Sequence, residues 1–427
     1  MAKSLNGGIR MHIVYAMQEY PKDNKGCAGS GNYVSNIAHI MTEKGHKVEV
    51  VTEGADSGVE SCDGIIVHTI DIEKFFHDSG KRMTVSKKII KNLYRSYIYN
   101  KTINKIDRAE RVDIVQYGAM YNLAFFRNRK IPAVIRLSEY PVLWRRAGNE
   151  EDFNIKSALE EKRLDEELQV YTYNRADKII APSYLLKNIV ETRVNKEVEV
   201  IESPVFLGKS VDFYQQHFSE EKLRGKKYFL YYGGISARKE AHIVAEIIPK
   251  ILDLYPEHYF VIVGKCLTIP FDSKKRNLLD IIEELPQKYS GRSIYLGSID
   301  NRDRLFSIVS HCDICVLPTR IDNLPNTVIE SMGLRKVIVS TDKTSVEQLI
   351  TDGENGFLCK ADDPDSLVQK IQEAMELSDE ERILMGKKAE ERLSDMQPDI
   401  FYEKMMKVYR DTIFGVHQKN KCKRQGA

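Results

Sequence analysis

Asp313-Ile-Cys-Val-Leu-Pro-Thr-Arg-Ile-Asp-Asn-Leu-Pro-Asn-Thr-Val-Ile-Glu-Ser-Met-Gly-Leu-Arg-Lys-Val-Ile-Val-Ser-Thr341 is the stretch from which the fold can be read. Ile314 to Leu317 is an apolar run of buried-strand length, stopped by Pro318. Thr319 to Pro325 is a polar loop, and Pro325-Asn326-Thr327 favours a helix start. Val328, Ile329 and Met332 then form a short apolar face, Gly333 ends the helix, and Val337-Ile338-Val339 is the next strand. Strand, loop, helix, strand is the unit of an open parallel sheet. In such sheets the loop between a strand's carboxyl end and a helix N-terminus is where phosphorylated ligands bind. Asp322 and Glu330 place two carboxylates on this loop and helix. Glu330 has two readings: it closes a capping box over Thr327-Val328-Ile329-Glu330, or it serves a ligand.

The amino-terminal end carries a related unit. Met11-His12-Ile13-Val14-Tyr15 reads as a strand, and Gly26-Cys27-Ala28-Gly29-Ser30-Gly31 as a glycine loop. A helix follows with apolar Val34, Ile37, Ala38 and Met41, ends at Gly45, and leads to the strand Val48 to Val51. This is a parallel βαβ unit whose glycines let backbone N–H groups approach a ligand. It lacks the third glycine of a dinucleotide fingerprint, Val34 standing there, and Glu53 is the one stand-in for a ribose-binding acid. Further strands read at Val112–Gln116, Ala133–Leu137 and Val198–Ile201; Ser138 and Glu139 lie at the carboxyl end of the second of these. Tyr228 to Tyr232 opens a second series. A Gly233-Gly234 turn and Arg238-Lys239 lead into a helix with Val244, Ile247, Ile248 and Ile251. Two cations at such a mouth are either exposed surface charges or the clamp of a diphosphate.

The stretch 313–341 resembles the donor-site signature of the family-4 glycosyltransferases (glycosyl transferases group 1), enzymes of the GT-B fold. Their pattern is Glu, seven residues, Glu, with a Pro three positions after the first acid. Here Asp322 replaces the first Glu, Pro325 is in place and Glu330 is the second. Tyr228–Gly264, Ser345–Ile350 and Asp352–Leu358 are similar to the family as well. Members usually read Gly-Arg-Leu, several residues, Lys-Gly; Lys239 matches, while Gly234 stands at the Arg position and Arg238 is a candidate replacement. Ser138 replaces a His that many members carry, and Lys343-Thr344 sits where most have two glycines.

The resemblance implies an α/β protein of two Rossmann-like, doubly wound parallel-sheet domains facing a central cleft. The expected domains are 1–205 for the acceptor and 227–398 for a nucleotide sugar, joined by a hinge at 206–226. A terminal helix at about 400–416 packs back on the first domain, and 417–427 is a disordered basic tail. The implied activity is hexosyl transfer from a nucleotide sugar to a glycan or lipid-linked acceptor. It proceeds with retention and without metal or other cofactor, in the manner of bacterial surface-polysaccharide synthesis. The implied catalytic residues are Asp322, Glu330 and Lys239. Donor contacts fall to Gly29, Gly31, Gly234, Arg238, Lys239, Asn323, Leu324, Pro325, Asn326, Thr327 and Glu330. Ser138 and Glu139 lie on the acceptor or sugar side. Asp177 and Ser183 are structural, Ser183 as a helix cap. Two other readings stay open: a nucleotide-sugar epimerase of the same architecture, with Glu139 and His68 as its candidates, and a nucleotide-binding module without catalysis.

Composition narrows the partners. The 427 residues are 42% apolar and 30% charged, as in a soluble globular protein, and a net charge of +2 gives no reason to expect nucleic acid. No apolar run reaches the roughly 18 residues of a membrane span, and the N-terminus does not read as a signal peptide, so a cytoplasmic protein is expected. Residues 81–111 hold ten Lys or Arg, among them Lys81, Arg82, Lys87, Lys88, Lys91 and Arg95, against Asp107 and Glu110. That is either a solvated helical face or a surface for an anionic leaflet, placing the protein peripherally on the inner face of the plasma membrane. Seven scattered cysteines argue for free thiols, and Cys312-Asp-Ile-Cys315 for a structural pair; the ten histidines show no metal spacing.

Overall fold

β1 (His12–Ala16) is buried at all five positions. The helix Gly29–Glu43 behind it buries Val34, Ile37, Ala38 and Met41, the face its period predicts. Gly45 follows with φ +88°, a left-handed turn that glycine makes without a Cβ clash. The computed structural model describes residues 10–21, 29–76, 84–150, 153–160 and 163–425. Gly26, Cys27 and Ala28 of the glycine loop, and Lys81 and Arg82 of the basic stretch, lie outside the described residues.

β2 (Lys47–Glu53), β3 (Gly58–Cys62), β4 (Ile65–Ile70), β5 (Ile114–Gly118), β6 (Ala133–Arg136), β7 (Lys178–Ala181) and β8 (Val198–Val200) join β1 in one eight-stranded sheet. Its order is β3-β4-β2-β1-β5-β6-β7-β8, and only the exposed edge strand β3 runs antiparallel to its neighbour. The helix Val85–Ala109 starts on a Thr84 cap and buries Tyr99, Ile103 and Ile106. Asp177 accepts from the Ala133 backbone N–H (3.0 Å) and from Arg127 Nη2 (3.1 Å), and Ser183 Oγ accepts from Leu186 N (3.2 Å). Both therefore have the structural roles expected of them.

The last helix, Pro398–Gln425, belongs to this same first unit. Phe401 meets Tyr33 edge-on at 6.3 Å, and Tyr409 Oη donates to Gln116 Oε1 (2.7 Å) in the core. The helix runs on to Gln425 where the sequence suggested a disordered tail from 417. Val416 is buried, and Arg111 Nη2 reaches His417 Nε2 at 3.2 Å, contacts made only in the folded chain.

The second unit comprises 141–161 and 205–397. Its sheet runs β13-β10-β9-β14-β15-β16, all parallel, from β9 (Lys227–Tyr232), β10 (His258–Val263), β13 (Ser293–Tyr295), β14 (Ile314–Val316), β15 (Ile338–Thr341) and β16 (Phe357–Cys359). β11 (Thr268–Phe271) and β12 (Lys274–Asn277) form a separate hairpin. Residues 206–226, expected to be an irregular hinge, group with the second unit. They hold a helix, Val211–Gln216, capped by Ser210, and a 3-10 turn, Glu221–Leu223, and they bury Tyr214 and Leu223 in this unit's core. Residues 141–161 likewise group with this unit, although their place in the chain suggested the first.

Gly333 ends the helix as read, though without a left-handed turn of its own. It is the last helical residue, and a Cβ there would lie 2.5 Å from Leu207 Cδ1, so the glycine makes room for packing. Arg335 takes the left-handed turn, at φ +56°. Cys312 and Cys315 are buried and free, their sulfurs 3.4 Å apart, as a structural pair would be.

Candidate active site

Strand order in the second sheet reverses between β9 and β14: β10 and β13 continue to one side of β9, β15 and β16 to the other side of β14. Loops leaving the carboxyl ends of such neighbours diverge and leave a crevice. The two loops here are 233–240 and 317–325. Gly233 and Gly264 pack back to back, since a Cβ on Gly264 would fall 1.8 Å from the Gly233 carbonyl oxygen. Gly234 is exposed with open space around its Cα, so nothing steric requires glycine at the position where the family has Arg.

The 319–325 loop is pinned from several sides. Thr319 Oγ1 donates to Arg238 O (3.1 Å), Arg320 N to the same oxygen (3.0 Å), and Thr319 N to Thr341 Oγ1 (3.0 Å). Ser345 Oγ donates to Asp322 O (2.6 Å) and accepts from Leu324 N (3.0 Å), which holds Leu324 in a left-handed conformation at φ +58°. This fixes Asp322 against the opposite loop, where its carboxylate receives the Lys239 ammonium directly and lies 3.7 Å from Arg238 Nη1. Burial raises the carboxyl's pKa, but Lys239 and Arg238 outweigh that and hold it below the usual range. Asp322, Lys239 and Arg238 are thus brought together, as an ion cluster.

Asn323 donates its N–H to Asp322 Oδ1 (2.7 Å), and Pro325 stands at the cap of the helix Asn326–Gly333. Asn326 is exposed and Thr327 half-buried in its first turn. Tyr232 Oη anchors that helix to β9, donating to Thr327 O (2.7 Å) beside Ser331 Oγ (3.0 Å). The capping-box reading of Glu330 is overturned: the helix has no side-chain cap and Glu330 is in its second turn, past the unpaired N–H groups. Its Oε1 instead accepts from Arg302 Nη2 at 3.1 Å. Burial pushes this carboxyl up, against the pull of Arg302. Arg302 opens the helix Arg302–His311 behind an Asn301 cap and was not singled out from the sequence.

In the first unit, Gly29 and Gly31 begin the 29–43 helix, Gly31 buried. Glu53, read as the stand-in for a ribose-binding acid, is bound by Arg95 through Nε (2.6 Å) and Nη2 (3.1 Å). Ser138 and Glu139 follow β6, half-buried, with Glu139 close enough to raise the Tyr121 and Tyr173 phenols beyond what burial does. His68 Nε2 is 2.6 Å from Glu49 Oε2, inside a cluster with His12 and Lys47. A cavity of about 580 Å³ opens at the carboxyl ends of β1, β2 and β4, lined by Gln18, Glu19, Glu53, Gly54, Asp71 and Glu73 among others.

Two Rossmann-like units, the second with a cationic, carboxylate-bearing switch point, define a protein of the GT-B class. Solved structures share the fold. Sucrose-phosphate synthase from Thermosynechococcus elongatus matches with TM-score 0.72 and 15% identity, over 95% of this chain and all of that one. The catalytic domain of starch synthase IV from Arabidopsis thaliana matches with TM-score 0.68 and 12% identity, over 95% of this chain and 100% of that one. The chain belongs to the family-4 glycosyltransferases: the model for Glycosyltransferase Family 4 matches residues 28–207, and that for Glycosyl transferases group 1 matches 212–392. An uncharacterized glycosyltransferase of Methanocaldococcus jannaschii is 24% identical over 52% of this chain. The N,N'-diacetylbacillosaminyl-diphospho-undecaprenol alpha-1,3-N-acetylgalactosaminyltransferase of Campylobacter jejuni is 28% identical over 30%. The matches span 56% and 33% of those relatives' own length.

Proposed function

We propose that the second unit binds a nucleotide-activated hexose at its switch point and that the protein transfers the hexose, with retention, to a glycan or lipid-linked acceptor. The observation that carries this reading is the meeting of Lys239, Arg238 and Asp322 beside the helix that bears Glu330. Lys239 and Arg238 supply the charge to neutralise a leaving diphosphate, aided by the N–H groups at Asn326 and Thr327, so the step needs no metal. Glu330 accepts the ribose hydroxyls and Asp322 faces the hexose. The bond from the anomeric carbon to the phosphate oxygen breaks as the bond to the acceptor oxygen forms on the same face. The acceptor's proton passes to the departing phosphate.

The acceptor falls to the first unit, whose acid-rich cavity suits the hydroxyls of a glycan. A lipid-linked acceptor agrees with the basic helix 85–109 and with an anionic membrane as partner, and the relative from Campylobacter jejuni carries an undecaprenol-linked acceptor in its name. Among the described residues no helix is long and apolar enough to cross a membrane, so docking would be peripheral. In the epimerase reading, His68 would act from its hydrogen bond to Glu49.

Thermal-shift titration with UDP, GDP and ADP, followed by incubation with the matching nucleotide sugar, tests the proposal. One nucleotide should stabilise the fold, and its sugar nucleotide should be slowly hydrolysed. Glu330→Gln should weaken that nucleotide by about tenfold or more, as expected for loss of a charged hydrogen bond. Unchanged affinity and turnover in Glu330→Gln would sink the reading. Formation of a 2-epimer would favour the epimerase, and binding without turnover a module that has lost catalysis.

A further inference from the structure

On the far side of the Lys239 turn lies a second polar cluster that the donor reading leaves unused. Arg320, 3% exposed, sends Nε to Asp362 Oδ1 (2.5 Å), Nη2 to His242 Nε2 (2.9 Å) and Nη1 to the Glu150 carbonyl oxygen. One guanidinium thus joins the switch-point loop to the segment after β16, to the helix Ala241–Leu254 and to residues 141–150. His242 Nε2 also lies 3.2 Å from Asp362 Oδ1, and its Nδ1 is buried without a partner. Glu240, next to Lys239 in the chain, is 1% exposed, and its Oε1 is also buried without a partner. Its backbone is left-handed at φ +51°, at the position where members of the family read Gly after the Lys.

A left-handed glutamate with a buried, incompletely paired carboxyl costs stability, so its presence calls for another role. We propose that Glu240, His242, Arg320 and Asp362 are positioning residues, a partly buried brace that holds the turn bearing Lys239 against the loop bearing Asp322 so that the ammonium stays on the donor's diphosphate. Two tethers support this: the Arg320 side chain reaches the segment after β16, while its own backbone N–H is fixed to Arg238 O. The brace rests on the donor-site reading.

The test compares the wild type, Glu240→Gly and Glu240→Gln. Each is titrated calorimetrically with the diphosphate and the monophosphate of the nucleoside whose diphosphate best stabilises the wild type among UDP, GDP and ADP. Glu240→Gly relieves the strain and should melt higher, so a loss of binding cannot be ascribed to unfolding. It should bind the diphosphate about tenfold more weakly and the monophosphate equally well, because only the diphosphate reaches Lys239. Glu240→Gln keeps the shape of the protonated acid and should stay within about threefold of the wild type for both ligands. Parallel changes for the two ligands, or no change, in Glu240→Gly would overturn the brace while leaving the donor site standing. A wild type that binds none of the three diphosphates would overturn both.

Discussion

Burial pushes the Glu240 carboxyl up to about 8; Asp362 adds to the shift and Arg320 opposes it. Asp342, Tyr231 and Cys359 also face this group. With a folded-state pKa above the ordinary 4.5, the chain takes up a proton on folding. The associated stability is therefore complete below about 4.5 and is lost as pH rises through about 8. At about 1.4 kcal/mol per unit, the loss reaches several kcal/mol. Urea denaturation at about pH 5 and about pH 8 should show the wild type weakening with pH, and Glu240→Gln should remove most of that slope. An identical slope in the two proteins would mean that the proton is bound elsewhere.

Among the elements, the helix Val85–Ala109 is divided cleanly. Its inner face buries Arg95, Tyr99, Ile103 and Ile106, and Arg95 is committed to Glu53. Its outer face exposes Lys87, Lys88, Lys101 and Lys105 around Ile90 (57% exposed) and Tyr97 (52%). Lysines ringing exposed apolar side chains suit an anionic bilayer, with about 1 kcal/mol per cation. The triple change Lys87→Glu, Lys88→Glu, Lys101→Glu should abolish co-sedimentation with phosphatidylglycerol vesicles while leaving nucleotide binding intact. Equal sedimentation of the two proteins would make this face merely solvated.

Elements of this kind could be read in advance because their apolar period is long enough to register, as in the 29–43 and 241–254 helices. The helix 211–216 could not, since it offers only Val211 and Tyr214 as buried positions among charges and a nearby Gly208. In the site, Asp322, Lys239 and Glu330 were legible because they lie within one motif or at the mouth of a strand. Arg302 and Arg320 were not: each is an ordinary basic residue in sequence, given its partner only by approach across 28 and 42 positions. Glu240 and Lys343, both left-handed where the family has glycine, conceal their backbone shape behind side chains that normally avoid it.

For the molecule as a whole, the first unit's core draws on both ends of the chain. Met405 is fully buried in the same cluster as Tyr15, Ile37 and Val50. Met405→Ala should cost about 2–5 kcal/mol in chemical denaturation, the usual range for a truncated core methionine. A change under about 1 kcal/mol would show that the last helix adds little to that core.

A consequence follows for synthesis on the ribosome. The second unit's residues end at 397, whereas the first unit still lacks its 28-residue closing helix when they have emerged. The portion translated first is therefore finished last. Until that helix emerges, it presents Tyr15, Tyr33 and their apolar neighbours uncovered, a window in which a nascent chain has need of a chaperone.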